Sequence, residues 1–285
     1  MAGAFYMVLC VLITSLAGVA TKLIVVDVPV YTIACLQYLV CLVLLLPKVI
    51  GGGKALLLTD QFGVHLVRGL GGWLCFLCYY LAIEHVPLVE AALLRSASPL
   101  CVPFVIVVMT GRWIPRRFWG PILVGFVGVG LILRPESEGI NYWHLIGFLS
   151  AVFLAISMVF TRKLTAREPP ARILFYYFLL SFLCGLPLMW LHWRPIPFSA
   201  LPGLLFIGLS IYVALVFYTK AYQLARASLV SPLSYTGVVF AGIWGWLIWG
   251  HVPDLLALTG IGLVALGGLA TLLLSQPSGS GSAVK

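Results

Sequence analysis

Ten apolar stretches follow one another along the chain, each close to the length that crosses a ~30 Å hydrocarbon core. They lie at roughly 3–25, 30–50, 62–84, 87–109, 115–134, 142–163, 170–191, 199–222, 228–249 and 254–274. The segments between them are too short to fold as soluble domains, and Pro or Gly marks several, as at Val28-Pro29, Gly51-Gly52-Gly53, Val86-Pro87 and Pro169-Pro170. The predicted fold is therefore an all-α polytopic membrane protein of ten helices. Hydrophobic residues make up 62% of the chain and charged ones 9%, against about 25% charged in soluble domains. The first stretch lacks a basic leader region, so it reads as a span and not as a cleaved signal. The polar tail 277–285 is expected to be disordered.

Lysine and arginine set the expected orientation, because short cytoplasmic loops carry the positive excess. With the N-terminus inside, only Lys22, Arg134 and Arg194 fall on the outer side, and Arg95 lies within a span. The other basic residues, Arg68 and Arg172 among them, fall on or near the cytoplasmic side. Both termini are thus expected in the cytoplasm, with the chain in the cytoplasmic (inner) membrane. The net charge of +9 fits this asymmetry. No basic helix interleaved with exposed aromatics points to nucleic acid.

A shift of 139 residues lays spans two to five over spans seven to ten without a gap. Tyr38 then falls on Tyr177, Trp73 on Tyr212, Tyr79 on Tyr218, Gly111 on Gly250, and Gly128 on Gly267. Five spans per half is an odd number, so the second half must enter the membrane with opposite polarity. The expected units are 1–138 and 139–276. Inverted repeats of this kind are a transporter architecture, with the site between the halves near the midplane.

The fourth stretch, Pro87 to Met109, carries Arg95 eight residues from its start. At ~1.5 Å per residue that is roughly 12 Å deep. An arginine there costs at least ~2.5–3.5 kcal/mol on insertion scales, so it should face an interior or a watery cavity. Carbonyls, Glu90 or an anionic ligand could hold it. Glu90 is a poor partner from the same helix, because five residues place it about 140° around.

The run Arg68-Gly-Leu-Gly-Gly, then Tyr79-Tyr80-Leu-Ala-Ile, Val86-Pro87 and Ser98-Pro99-Leu, resembles the EamA-type repeat of the drug/metabolite transporter superfamily. So does Gly111 followed by Gly120, Gly125, Gly128 and Gly130. The second half repeats the pattern more loosely in Tyr218-Thr-Lys-Ala-Tyr, Ser231-Pro232-Leu, Gly250, Gly262 and Gly267-Gly268. The resemblance implies ten helices around a central cavity, alternating access and small metabolites, often amino acids or related compounds. Two departures stand out. Arg112 and His251 follow the glycines where family members often have glutamate, and Gln37 stands in the second span where an arginine is often found.

The candidate substrate site therefore joins Arg95 and Glu90 to Gln37, to the aromatics Trp73, Tyr79, Tyr80, Tyr212 and Tyr218, and to Ser231, Ser234 and Tyr235. Under the repeat shift Arg95 meets Ser234, so a cation would face hydroxyls across the cavity. The guanidinium would take a carboxylate or phosphate, and the rings the apolar part. Of the eight acidic residues only Glu90 lies clearly within a span. The expectation is facilitated transport or exchange. No paired aspartates, Ser–His or Ser–Lys arrangement, or H-E-x-x-H helix suggests an enzyme. No cofactor or metal is expected. Cys75 and Cys78 form a C-x-x-C by spacing, but inside a span it reads as packing. Alternatives to metabolite transport are a lipid carrier, with Arg95 on a phosphate headgroup, and a scaffold without a cavity. Small-residue packing of the fifth and tenth spans could support a homodimer.

Overall fold

The computed structural model describes residues 2–111, 113, 115–133, 142–225, 233–234, 236–250 and 255–274. Among these, the regular elements are all helical. They are α1 (Ala2–Ile24), α2 (Val30–Leu57), α3 (Phe62–His85), α4 (Leu88–Ser96), α5 (Ser98–Thr110), α6 (Trp119–Leu133), α7 (Tyr142–Thr165), α8 (Pro170–Leu191), α9 (Leu201–Leu224), α10 (Thr236–Trp249) and α11 (Leu255–Leu274). Short 3₁₀ turns at Arg116–Phe118 and Phe198–Ala200 lead into α6 and α9.

Seven helical segments among the described residues are long and apolar enough to cross a membrane. Thr236–Trp249 and Leu258–Gly267 are apolar but shorter. Side chains such as Val26, Val108, Leu123, Leu191 and Trp246 stand exposed on the outside of the bundle. That is the surface a lipid-facing helix presents, since without water outside there is no penalty for leaving it apolar.

The fourth stretch is not one continuous helix. It breaks at Ala97 into α4 and α5, because Pro99 has no N–H to give to the preceding turn and its ring crowds the carbonyl four residues back. Arg95 lies in the last turn of α4. The unpaired carbonyls of a helix C-terminus carry partial negative charge there and favour a cation.

Packing between elements follows an exchange pattern. α1 packs on α9 and α3 on α7, while α2 packs on α8 and α6 on α11. Each pair runs antiparallel. Gly3 lies against Ala221 and Ala225, and Gly203 against Ile24. Gly71 lies against Phe153 and Ser157, and Gly147 against Ala82. Gly128 meets Gly260 and Val264, while Gly267 meets Pro121 and Gly125. The last contacts are backbone to backbone, at 2.5–2.7 Å from where a Cβ would stand, so only glycine allows this approach. Gly111 and Gly250 end α5 and α10 in the left-handed region, at φ 66° and 69°. A glycine just past a helix end takes that conformation without Cβ strain.

Tyr38 and Tyr177 share a hydrogen bond between their hydroxyls at 2.9 Å, where α2 crosses α8. Both rings are buried. They form the centre of the largest core cluster, with Ile33, Phe76, Tyr80, Phe178 and Ile207.

Two ends of the bundle differ in chemistry. At the end carrying the α2–α3 and α7–α8 turns, Glu168 accepts a hydrogen bond from Thr59 Oγ1 at 2.6 Å and pairs with Arg172. Arg172 Nε also donates to the carbonyl of Leu56 at 2.7 Å. Lys48, Arg162, Lys163 and Arg167 are exposed at this end, called the basic end below. At the opposite end, Lys22 Nζ donates to the carbonyls of Ile83 and Val86. His85 stacks on Trp143 with ring centroids 3.4 Å apart.

A candidate substrate cavity around Arg95

A cavity of about 110 Å³ lies between α1, α3, α4, α9 and α10. Arg95, Tyr79, Tyr218 and Ser234 line it, together with Thr14 and Ser15 of α1. The Arg95 guanidinium lies over the rings of Phe76 and Tyr79, at 4.6 and 4.7 Å from their centroids. Such stacking is worth about 0.5–2 kcal/mol and uses the flat face of the guanidinium, not its edge. Among the described residues no carboxylate pairs with Arg95. The cavity thus offers one cation, several hydroxyls and apolar walls from Met7, Val11 and Leu154.

The hydroxyls differ in what they still have to offer. Ser96 Oγ donates to the Ala92 carbonyl at 2.8 Å, and Thr14 Oγ1 to the Cys10 carbonyl at 2.8 Å. Both keep lone pairs for a ligand donor. Ser15 Oγ is committed twice, donating to the Leu12 carbonyl and accepting from Trp244 Nε1 at 3.1 Å. The buried Tyr218 hydroxyl has no hydrogen-bond partner. An unpaired buried hydroxyl costs about 1–3 kcal/mol, and a ligand in the cavity could relieve it.

The structure separates the residues expected from sequence. Arg95, Tyr79, Tyr218 and Ser234 meet at the cavity. Gln37 and Tyr80 do not line it. Tyr80 donates to Gln37 Oε1 at 2.6 Å, and both are buried between α2 and α3. Glu90 lies apart as well, on His144 Nε2 at 2.8 Å, because it faces the start of α7 and not the cavity. Trp73 and Tyr212 pack against the main core cluster. Ser231 and Tyr235 lie outside the described residues, as does the tail 277–285.

Two features escaped the sequence reading. One is the α1 wall, Met7, Cys10, Val11, Thr14 and Ser15. Its signal was present, since Cys10 and Thr14 are one turn apart in an otherwise apolar run. The other is Arg68, expected near the cytoplasmic surface. It is 1% exposed, with its guanidinium 3.6 Å from the centroid of the Tyr177 ring. Gly72 makes that placement possible, since a Cβ there would stand 2.5 Å from the Tyr177 ring.

An all-helical bundle with apolar side chains on its outside and helices long enough to cross a membrane defines a polytopic membrane protein. The sequence profile of the EamA-like transporter family matches residues 1–134 and again 141–273. The chain belongs to that family. It is 36% identical over 207 residues to the pseudopaline exporter CntI of Pseudomonas aeruginosa, covering 72% of this chain and 73% of that one. It is 31% identical over 239 residues to a riboflavin transporter of Vibrio cholerae, covering 79% and 76%. An S-adenosylmethionine uptake transporter of Rickettsia prowazekii is 27% identical over 225 residues, covering 79% and 76%. One solved crystal structure superposes with a TM-score of 0.63 over 95% of this chain and 96% of that chain. At 19% identity it shows the shared fold. The protein is therefore a multi-pass membrane transporter for small molecules of the drug/metabolite superfamily.

Proposed function

We propose that the protein moves a small organic anion or zwitterion, an amino acid or related metabolite, across the cytoplasmic membrane by alternating access. The single observation that carries this reading is Arg95. It stands in an interior cavity beside the unpaired Tyr218 hydroxyl and, among the described residues, has no carboxylate of its own. A guanidinium so placed receives a carboxylate or phosphate, and Tyr79, Tyr218, Thr14 and Ser234 orient the remainder. The similar proteins named above include both an exporter and uptake transporters. Net direction then follows the gradients, as expected of facilitated transport or exchange.

Two oppositely inserted five-span halves, 1–138 and 139–276, provide the alternating-access frame. The antiparallel exchange of α1 with α9 and of α3 with α7 supports it, as does the contact of Tyr38 with its repeat counterpart Tyr177. On this reading the basic end faces the cytoplasm and both termini lie there. A homodimer, if formed, has Gly120 and Gly262 as its small-residue surface, since each has open space beside it.

A lipid carrier would need a headgroup site continuous with an apolar slot. An apolar groove of about 500 Å³ does run between α3, α5, α6 and α7, past Phe104, Phe126 and Phe148. It has no charged lining and shares no residue with the Arg95 cavity. This separation favours a metabolite.

The test is uptake into proteoliposomes preloaded with a panel of amino acids and organic acids. Arg95→Ala and Arg95→Lys should each lower exchange of the active cargo by about tenfold or more, because lysine cannot reproduce the planar fork. Normal exchange by folded Arg95→Ala would overturn the reading. Accumulation that occurs only under an imposed proton gradient would overturn the exchange mechanism.

A further inference from the structure

Among the described residues Arg68 is the largest fully buried side chain, yet it is not satisfied. Its Nε and Nη1 have no hydrogen-bond partner. Below it along α3, both ring nitrogens of buried His65 are likewise unpaired, and the nearest carboxylate, Glu168, is 3.9 Å from that ring and held by Arg172 and Thr59. Stacking on Tyr177 supports the flat face of the guanidinium but not its edge. If packing alone were the role, an apolar side chain of similar volume would serve at lower cost, since a buried ion without its counter-ion is destabilising.

The position of Arg68 relative to Arg95 gives the orphaned edge a purpose. Seven residues of α3 separate Arg68 from Cys75, close to two full turns, so both lie on one face about 10 Å apart along the axis. The Arg95 guanidinium lies over Phe76, next to Cys75 on that helix, and over Tyr79 one turn further on. Tyr218 lines the Arg95 cavity and its hydroxyl has no partner.

We propose that Arg68 is a second anion subsite, one step toward the basic end from Arg95, and that the cargo therefore carries two anionic groups. One group rests on Arg95. The other reaches the free edge of Arg68 when the cavity deepens along α3. This inference rests on the Arg95 reading and narrows its substrate class to dianions of a few carbons' separation.

The test uses the full-length protein in lipid nanodiscs. The probes are the linear α,ω-dicarboxylates from succinate to suberate and the monomethyl ester of each, read by ligand-induced thermal stabilisation. In the unmodified protein the best-fitting diacid should bind about tenfold or more tighter than its own ester, the scale of a charge-assisted bidentate contact. Arg68→Gln should erase that preference and leave ester binding intact. Arg95→Gln should lose diacid and ester alike. Should Arg68→Gln fail to fold, Arg68→Lys carries the test, because it keeps the charge, loses the fork and should retain only part of the preference. Ester binding that depends on Arg95, with no gain from a second carboxylate, overturns the Arg68 subsite alone. A diacid preference that survives Arg68→Gln overturns it too. No binding of either probe class overturns the Arg95 reading together with it.

Discussion

The two ends of the α2–α8 crossing are built on matching helices from unlike side chains. At the basic end stand Thr59, His65, Arg68, Glu168 and Arg172. The residues 139 positions away, at the other end, are Phe198, Leu204, Ile207, Pro29 and Ile33. Of these Ile33 and Ile207 are fully buried and Leu204 is 5% exposed. One end is fastened by an ion pair and hydrogen bonds that connect the two turns, and the other by dry aliphatic packing. The difference teaches that matching helices can be fastened by unlike chemistry, and on the alternating-access reading the two ends would not open with equal ease. Polar contacts are short-ranged and directional, so water entering the basic end can substitute for them. Apolar packing has no such substitute, and separating it exposes area at about 25 cal/mol per Å².

The comparison can be broken most severely by giving the dry end a charge. Ile207→Asp would bury a carboxylate among Ile33, Tyr38 and Leu204 without a partner. The expected cost is about 3–5 kcal/mol, the scale of an uncompensated buried ion. It should appear as loss of the monodisperse folded peak on size-exclusion chromatography. An Ile207→Val control should stay within about 1.5 kcal/mol.

A smaller effect is expected at the basic end. Arg172→Ala removes the partner of Glu168 and the donor to the Leu56 carbonyl. Loss of about 1–3 kcal/mol follows from leaving those acceptors unpaired. Cysteines introduced at Thr59 and Glu168 neighbours should then label faster with a membrane-impermeant thiol reagent from that side. Unchanged labelling would mean the turns are not fastened by this pair.

The smallest effect is a pH dependence. Burial works to raise the Glu168 carboxyl, but the Thr59 hydroxyl and Arg172 outweigh it and hold it below the usual carboxylate value. A depressed folded value adds stability that is fully present above the unfolded value and is lost as pH falls through the folded one. The melting temperature should therefore decline on acidification below the ordinary glutamate range, and Glu168→Gln should flatten that decline. An identical pH profile in the variant would show that this carboxylate contributes nothing.

Much of the fold was legible because hydropathy alone marks where lipid replaces water. The short loops and the glycines at 111 and 250 follow from residues one can count. The break at Ala97 was not legible. Ser96-Ala97-Ser98 are small residues that helices in lipid accept, and only Pro99 hints that the helix is interrupted beside Arg95. Of the site, Arg95 stood out because a cation deep in an apolar run has few places to go. Gln37 and Tyr80 misled because a buried polar pair looks the same in sequence as two ligand contacts. Nothing local reveals that each satisfies the other. Arg68 was hidden by position. Six residues after the start of α3, it read as part of the basic flank, although the helix carries it inward to Tyr177.

A point on a two-fold axis touches its own image. Tyr38 and Tyr177, offset by the repeat length, touch through the one atom each that can either give or take a proton. On the inverted-repeat reading, a half-length ancestor inserted in both directions would have greeted its twin through this single tyrosine. Fusion of the two copies would then have freed most other positions to diverge, and kept this phenol pair, with a few glycines, at the seam.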